Sequence, residues 1–220
     1  MEKMPYQPHV DAVVSTLPPP QDAACEDWRL GLPTLTGSLV VLRELQLTDA
    51  PALFAALSTE DVSRFISPPP MSVTGFERFI LWTHRQRAAG QYACFAIVPR
   101  GSDVAIGIFQ VRALEPGFAT AEWGFAMASE FWGTGMFVDG AQLTLDFSFG
   151  AIGVHRMEAR AAVQNGRGSG ALRKLGAVQE GVLRRSFLRR GEYLDQALWT
   201  ILAEEWRESK AIWGADVVVH

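Results

Sequence analysis

The sequence predicts an α/β protein in which a mixed β-sheet packs between helices. Three features of the 220 residues indicate this class: strand-like and helix-like segments alternate, hairpin turns lie at both ends of the alternating region, and 48% of the residues are hydrophobic. That share of apolar residues is enough for one sizeable core. We therefore expect one domain with an extension.

Runs rich in β-branched and aromatic residues predict the strands. They lie at residues 39–42, 92–98, 104–111, 121–127, 155–163, 178–188 and 193–202. Pro99, Gly101 and Asp103 give the second and third runs the turn composition of a hairpin. Arg190 and Gly191 place a second hairpin turn between the last two runs.

Capping residues mark the helix starts. Thr48 precedes Pro51 as an N-cap residue does, because its hydroxyl accepts an orphan amide while proline needs no donor in the first turn. Thr74 and Glu77 match the T-x-x-E capping box. Leu53, Phe54 and Leu57 fall on one face of the first helix, and the second helix ends near Gly90. The third and fourth predicted helices are residues 137–149 and 169–175.

The charge balance bears on possible partners. A formal net charge of −4 argues against a general nucleic-acid binder, which needs a basic surface to release counterions from phosphates. No apolar run approaches the roughly 20 residues that cross a bilayer, and the N-terminus lacks a secretory pattern. We expect a cytoplasmic protein with neither nucleic acid nor membrane as partner.

The residues that commonly bind metals stand apart from one another. Cys25 and Cys94 belong to no C-x-x-C or Cys/His cluster, and His84 and His155 occur singly. The sequence therefore predicts no metal site, and structural roles for both histidines.

A glycine-rich bend follows the predicted strand at 121–127. Gly133 and Gly135 lie between this strand and the next helix, where a close backbone approach and unpaired helix amides favour an anion. The bend lacks the spacing of the nucleotide fingerprints, since no Gly-Lys-Ser/Thr follows and position 138 is Val138. A phosphate site and a tight turn without any ligand both remain open on this stretch alone.

Five segments together carry a resemblance to a known family. They are Leu42-Arg43-Glu44-Leu45 with Thr48-Asp49, Ile106-Gly107, Glu122 through Gly135, Asn165 through Gly176, and Gly191-Glu192-Tyr193-Leu194-Asp195 running to Trp206. In this combination the chain resembles the GNAT acetyltransferases, most of all the branch with ribosomal-protein N-terminal acetyltransferases of the Rim type.

The resemblance implies a fold and a domain division. The fold is a GNAT-like central sheet, mixed and mostly antiparallel, with about seven strands, flanking helices and one splayed strand pair. The implied domain covers residues 36–206, which leaves 1–35 as an N-terminal extension and 207–220 as a C-terminal tail.

The resemblance also implies acetyl-CoA as co-substrate. The splayed strand would pair its free backbone groups with pantetheine, the loop amides would hold the diphosphate, and the carboxamide of Asn165 would contact the pantetheine or its thioester end. The implied cofactor-binding residues are Phe125, Ala126, Met127, Trp132, Gly133, Thr134, Gly135, Met136, Asn165 and Ser169. The chain departs from the family pattern at Glu130, where Gln or Arg is usual, and at Gly168, where the branch has serine.

Acyl transfer to an amine needs a neutral nitrogen, a polarised carbonyl and a proton for the departing thiolate. Glu122 is the candidate base, directly or through a water, with a substrate-orienting or structural acid as the alternative. Ser169 or Tyr193 is the candidate proton donor, although capping and core roles are open for both hydroxyls.

The resemblance therefore implies an N-acetyltransferase that moves an acetyl group from acetyl-CoA to a primary amine by direct attack in a ternary complex. The acceptor is a protein N-terminal α-amine or a small-molecule amine, and the protein is a monomer or a homodimer. A non-catalytic acyl-CoA sensor or interaction module on the same fold is the alternative.

Overall fold

The computed structural model describes residues 27–215. Of the expected extension, the triple proline at 18–20 and Cys25 lie outside the described residues, as do the last five residues of the expected tail. Trp28 is buried and packs edge-on against Phe118 with ring centroids 5.6 Å apart, whereas Leu30 is exposed.

One sheet of eight strands carries the fold. The strands are β1 (Leu35–Thr36), β2 (Val40–Glu44), β3 (Tyr92–Pro99), β4 (Gly107–Ala113), β5 (Thr120–Met127), β6 (Arg156–Ala162), β7 (Val178–Arg189) and β8 (Glu192–Leu202). The helices are α1 (Ala50–Leu57), α2 (Glu60–Ser63), α3 (Val73–Ala88), α4 (Met136–Phe147), α5 (Gly166–Lys174) and α6 (Ala203–Ala215). A π-helical turn, Ser148–Ile152, extends α4.

The strand order is β1-β2-β3-β4-β5-β6-β8-β7, and every neighbouring pair is antiparallel except β5 and β6. The predicted mixed, mostly antiparallel sheet between helices is therefore confirmed. The added strand is the two-residue β1, which is too short to leave a pattern in the sequence.

The splayed pair is confirmed as well. The parallel pairing of β5 with β6 joins only three residues of each strand and ends where Glu122 faces Glu158. Beyond that point β5 continues for five residues to Met127 without β6 beside it. The sheet is thus open on one side of the strand that leads into the glycine bend.

Two hydrophobic cores lie on opposite faces of the sheet. One face packs against α4, α5 and α6, and the other against α1, α2 and α3. Strand β3 contributes alternate residues to both, with Phe95 and Ile97 in the first core and Cys94 and Val98 in the second. Since both faces are buried, β3 is a continuous apolar run.

The helix starts differ from their predictions. Thr48 lies inside a 3-10 turn, and Asp49 is the N-cap of α1. The carboxylate of Asp49 accepts from the Gln46 amide at 2.8 Å and from the Arg43 guanidinium at 2.7 Å. The ion pair between Arg43 on β2 and the buried Asp49 therefore holds this corner.

The capping box predicted at Thr74 and Glu77 is also wrong. The N-cap of α3 is Ser72, whose hydroxyl accepts from the Gly75 amide at 3.0 Å, so Thr74 lies within the helix. Helix α5 likewise begins before the predicted residue 169, because Asn165 caps it.

Ser72→Ala should lower the free energy of unfolding by about 1 kcal/mol, because the Gly75 amide loses its acceptor. Thr74→Ala is the matched control, since Thr74 is exposed inside the helix. Urea unfolding of both variants measures the difference. A larger loss for Thr74→Ala than for Ser72→Ala would contradict the observed cap.

Candidate active site

Two cavities meet at the splay between β5 and β6. The larger, about 860 Å³, has a polar side at Arg112, Glu122 and Arg160; we term it the acceptor cavity. The smaller, about 680 Å³, lies between α2, the start of α4 and α5; we term it the loop cavity. The residues that line both are Phe65, Ile66, Phe125, Ala126, Asn165 and Gly168.

The register of β4 and β5 decides which backbone groups face the splay. The Ala128 amide donates to Ile106 O at 2.9 Å, and hydrogen-bonded pairs in an antiparallel ladder recur every second residue. Ala126 is therefore bonded to Ile108, and the amide and carbonyl of Phe125 and Met127 point away from β4. Those groups face the side on which β6 has departed.

One of these groups already has a partner. The Trp132 indole donates to the carbonyl of Met127 at 2.9 Å. The amide of Met127 and both backbone groups of Phe125 remain directed at the gap. Trp132 therefore fixes the end of β5 relative to the glycine bend.

The glycine bend presents unpaired amides. Gly133 and Gly135 have φ values of 81° and 88°, a region that favours glycine, and Gly135 is the N-cap of α4. Within the part of the chain that the structure describes, no protein acceptor takes the backbone amide of Gly133, Thr134, Gly135, Phe137 or Val138. These donors and the helix dipole suit an anion.

The acid in the first turn of α4 is hydrogen-bonded to the protein backbone. The Asp139 carboxylate accepts the amides of Ser38, Leu39 and Val40 at 3.0, 2.8 and 3.0 Å. A side chain at Gly37 would clash with it, because an added Cβ would lie 2.3 Å from Oδ2. Asp139 therefore ties the β1–β2 turn to the helix end, and its charge does not face the bend unpaired.

Basic side chains line the loop cavity from two sides. Arg64 follows α2, and Arg167 and Lys174 lie on α5. The Arg167 guanidinium carbon lies 4.3 Å from the centroid of the Trp132 ring, which is a cation–π distance. Asp61 is the one acidic residue among the described residues of this lining.

Two arginines of the last hairpin contact the α2 segment. Arg189 donates to the carbonyl of Ser63 at 2.6 Å, and Arg190 pairs with Glu60 at 2.8 Å. These contacts join the β7–β8 hairpin to α2. Phe65 and Ile66, which follow α2, thereby stay over the junction of the two cavities.

Asn165 lines both cavities and caps α5, and its Oδ1 accepts the Gly168 amide at 2.9 Å. Gly168 is buried against this cap, since an added Cβ would lie 2.6 Å from Asn165 Nδ2. Ser169 is half-buried one residue later and lines neither cavity. The structure thus brings Asn165 to the splay and leaves Ser169 beside it.

Glu122 lies on the acceptor side of β5 with both carboxylate oxygens engaged. Oε1 accepts from Arg160 at 2.8 Å, and Oε2 accepts from Arg112. Tyr193, in contrast, is 61% exposed on β8 and lines neither cavity. The structure brings Glu122 to the cavity and does not bring Tyr193 there.

The sequence interpretation missed Arg112, Arg160, Phe65 and Ile66 as site residues. Arg160 lies 38 positions from Glu122, and only strand order makes the two neighbours. No local motif carries such a pairing.

A model of the acetyltransferase (GNAT) domain matches residues 40–178, well over half of the chain. The chain belongs to the GNAT acetyltransferase family. It is accordingly an acetyl-CoA-dependent acetyltransferase, and the resemblance in its sequence is confirmed.

Relatives of this GNAT protein match about four fifths of its length. It is 25% identical to a protein described as an uncharacterized N-acetyltransferase, p20 of Bacillus licheniformis, over 79% of this chain and 98% of that one. Its fold matches that of Mycobacterium smegmatis RimJ in complex with CoA-disulfide, with a TM-score of 0.73, 23% identity, and coverage of 81% and 90% of the two chains. The ribosomal-protein-S5-alanine acetyltransferase of Vibrio fischeri shares the fold at a TM-score of 0.71, with 19% identity over 79% and 98% of the chains.

The GNAT domain shows no sign of a membrane span in the described part of the chain. Between residues 27 and 215, no helix combines the length and the apolar character needed to cross a bilayer.

Asp139→Ala in this GNAT domain should lower the free energy of unfolding by about 2 kcal/mol, because three amides lose a charged acceptor. Asp139→Asn keeps one oxygen acceptor and should lower the free energy of unfolding by less. Chemical denaturation of the three proteins measures the order. Equal stability of all three would contradict the role assigned to this carboxylate.

Proposed function

We propose that this enzyme transfers the acetyl group of acetyl-CoA to a primary amine by direct attack in a ternary complex. The observation that carries the proposal is the meeting of two cavities at the open side of β5. One cavity has unpaired amides and basic side chains, which suit phosphates. The other has apolar walls and a polar floor, which suit an amine-bearing acceptor.

In the loop cavity, the amides of Gly133, Thr134 and Gly135 and the first turn of α4 hold the diphosphate. Arg167 and Lys174 supply positive charge for the phosphates, because Glu130 stands where the family usually has Gln or Arg. Pantetheine extends along β5 and replaces β6 as its hydrogen-bonding neighbour.

The pantetheine contacts are to backbone groups. The Phe125 amide and carbonyl and the Met127 amide pair with the arm, while Ala126 packs against it. Asn165 keeps its Nδ2 hydrogens for a carbonyl of the arm, since Oδ1 is committed to the helix cap. These contacts end the arm at the junction with the acceptor cavity.

At the junction, the neutral amine nitrogen bonds to the thioester carbon and the carbon–sulfur bond breaks. The sulfur leaves as thiolate, and the amine's extra proton goes to solvent or to the thiolate. A strand amide that donates to the carbonyl oxygen stabilises the charge that develops there. Preorganised amides of this kind need no metal to polarise the thioester.

An α-amine is the easier acceptor for such a site. An amine with a pKa near 8 is about 10% neutral at pH 7, whereas a lysine amine with a pKa near 10.4 is only about 0.04% neutral.

The geometry at Glu122 supports an orienting role over that of a base, because both of its oxygens already accept from guanidinium groups.

Gly135→Leu should raise the dissociation constant of acetyl-CoA at least tenfold, a loss of about 1.4 kcal/mol, because a side chain there disturbs the bend. Gly101→Leu is the matched control: it has a similar positive φ of 79°, lies in open space and lines neither cavity. Isothermal titration of both variants measures the effect. Unaltered binding in Gly135→Leu would contradict the placement of the diphosphate.

Glu122→Gln should lower kcat/KM about tenfold, chiefly through the KM of the acceptor, and leave the pH profile of kcat unchanged. Glu158→Gln is the control, since that acid also pairs with Arg160 but lines neither cavity. A fall in kcat of about 100-fold or more with loss of a pH limb would assign Glu122 as base instead. Acetyl-CoA binding without turnover in the parent enzyme would favour a sensor.

A further inference from the structure

The polar floor of the acceptor cavity is formed by side chains of β4, β5 and β6. Arg112, Glu122 and Arg160 are the charged residues among the described residues of its lining. Glu122 lies between the two arginines and bonds to both. The one carboxylate in the cavity is therefore already balanced, and the lining carries a surplus of positive charge.

Arg112 is the arginine with donors to spare. Among the described residues its one hydrogen-bonding partner is Glu122, through Nη2, and its side chain is 54% exposed. Arg160 is 30% exposed and has a second acid nearby, Glu158 at 3.6 Å. The second hydrogen of Arg112 Nη2 and the Nε or Nη1 donor on the same edge thus remain for a planar anion, which a guanidinium binds in a bidentate manner.

The ion pairs continue away from the cavity beyond Arg160. Glu158 pairs with Arg156 at 3.0 Å, and Arg156 pairs in turn with Glu180 at 2.6 Å. The hydrogen bond from Arg156 holds the pKa of Glu180 at about 2, so this pair stays ionised at neutral pH. The series of alternating charges therefore starts with a cation at the acceptor cavity.

A neutral side chain adds a further donor. Gln110 lines the cavity, and its Oε1 accepts a hydrogen bond from the buried Tyr92 hydroxyl. Its Nε2 therefore faces Gly124, where an added Cβ would lie only 2.8 Å away. The absence of a side chain at Gly124 leaves room for this amide nitrogen in the cavity lining.

The opposite wall of the cavity is apolar. It consists of the proline run 68–70 and of Phe76 and Phe79 on α3. A ligand that fills this space has an apolar part on one side and hydrogen-bond acceptors on the other.

We propose that the acceptor of this enzyme is a primary amine that also bears a carboxylate, which Arg112 and Gln110 bind. This inference rests on the proposed acetyl transfer and names its substrate class. The carboxylate takes no part in the bond changes; it fixes the amine at the splay.

The spacing along β5 sets the distance between the two groups of the ligand. Glu122, beside Arg112, and Phe125, at the junction, are three residues apart, which is about 10 Å along a strand. An arginine side chain covers part of that span. A free amino acid and a dipeptide both fit this range, as does a peptide N-terminus with an acidic second residue.

The test compares acceptors with and without the negative charge. The small-molecule arm uses phenylalanine, the dipeptide Phe-Gly and the C-terminal amide of each. The peptide arm uses two decapeptides that differ only by Glu or Gln at the second position. Release of CoA is followed at several pH values, so that each kcat/KM is expressed per neutral amine.

The carboxylate form should have a kcat/KM at least tenfold above its amide in one or both arms, and the arm that shows it identifies the source of the carboxylate. Arg112→Gln should reduce this ratio to near one, because kcat/KM for the carboxylate acceptor falls by more than kcat/KM for its uncharged counterpart. Arg207→Gln, on the exposed side of α6, should leave the ratio unchanged. If the role of Arg112 were merely structural, the substitution would lower kcat/KM for both acceptors by the same factor.

Two results would overturn the inference. Equal use of charged and uncharged acceptors in both arms leaves the acetyl transfer in place and removes the carboxylate requirement. No acetylation of any acceptor, despite a rise in melting temperature with acetyl-CoA, contradicts the proposed function itself.

Discussion

The early end of the β5–β6 ladder is the constraint on which the site depends. A sheet whose central strands stayed paired to their ends would have no gap for a thioester arm, and the backbone of Phe125 and Met127 would be consumed by β6. The antiparallel register with β4 directs those groups at the gap. The Trp132 indole then holds the strand end against the glycine bend. The ligand site is thus built from what the sheet leaves unpaired.

The two sides of the gap differ in their chemistry because they lie beside different elements. The start of α4 contributes amides and dipole, while Asp139 is withdrawn from the bend by the β1–β2 turn. The acceptor side carries the charged face of β4, β5 and β6. Segment 64–66 covers the junction and is anchored through α2 to Arg189 and Arg190. The hairpin at the far end of the sheet therefore supports a wall of both cavities.

The sequence predicted the fold well where periodicity and turns carried the signal. The sequence predicted the buried run of β3, the hairpin at residues 99–103 and the last two strands, since alternation and turn residues are local features. The starts of α1 and α3 were predicted at the wrong residues. Asp49 is held by its ion pair with Arg43, and Ser72 lies where the chain enters α3.

The site was predictable in part for the same reason. The glycine bend, Glu122 and Asn165 stand in motifs and do lie at the two cavities. The partners of Glu122 come from strands adjacent only in space, and the role of Gln110 depends on a hydroxyl 18 residues away. Ser169 and Tyr193 showed the converse, since suitable chemistry in the sequence did not bring either residue to a cavity.

Amide hydrogen exchange, read residue by residue with and without CoA, tests the central claim most directly. Saturating CoA should slow exchange of the amides of Gly133, Thr134, Gly135 and Met127, which have no protein acceptor in the described part of the chain. Binding of CoA with unchanged exchange at all four amides would contradict the account.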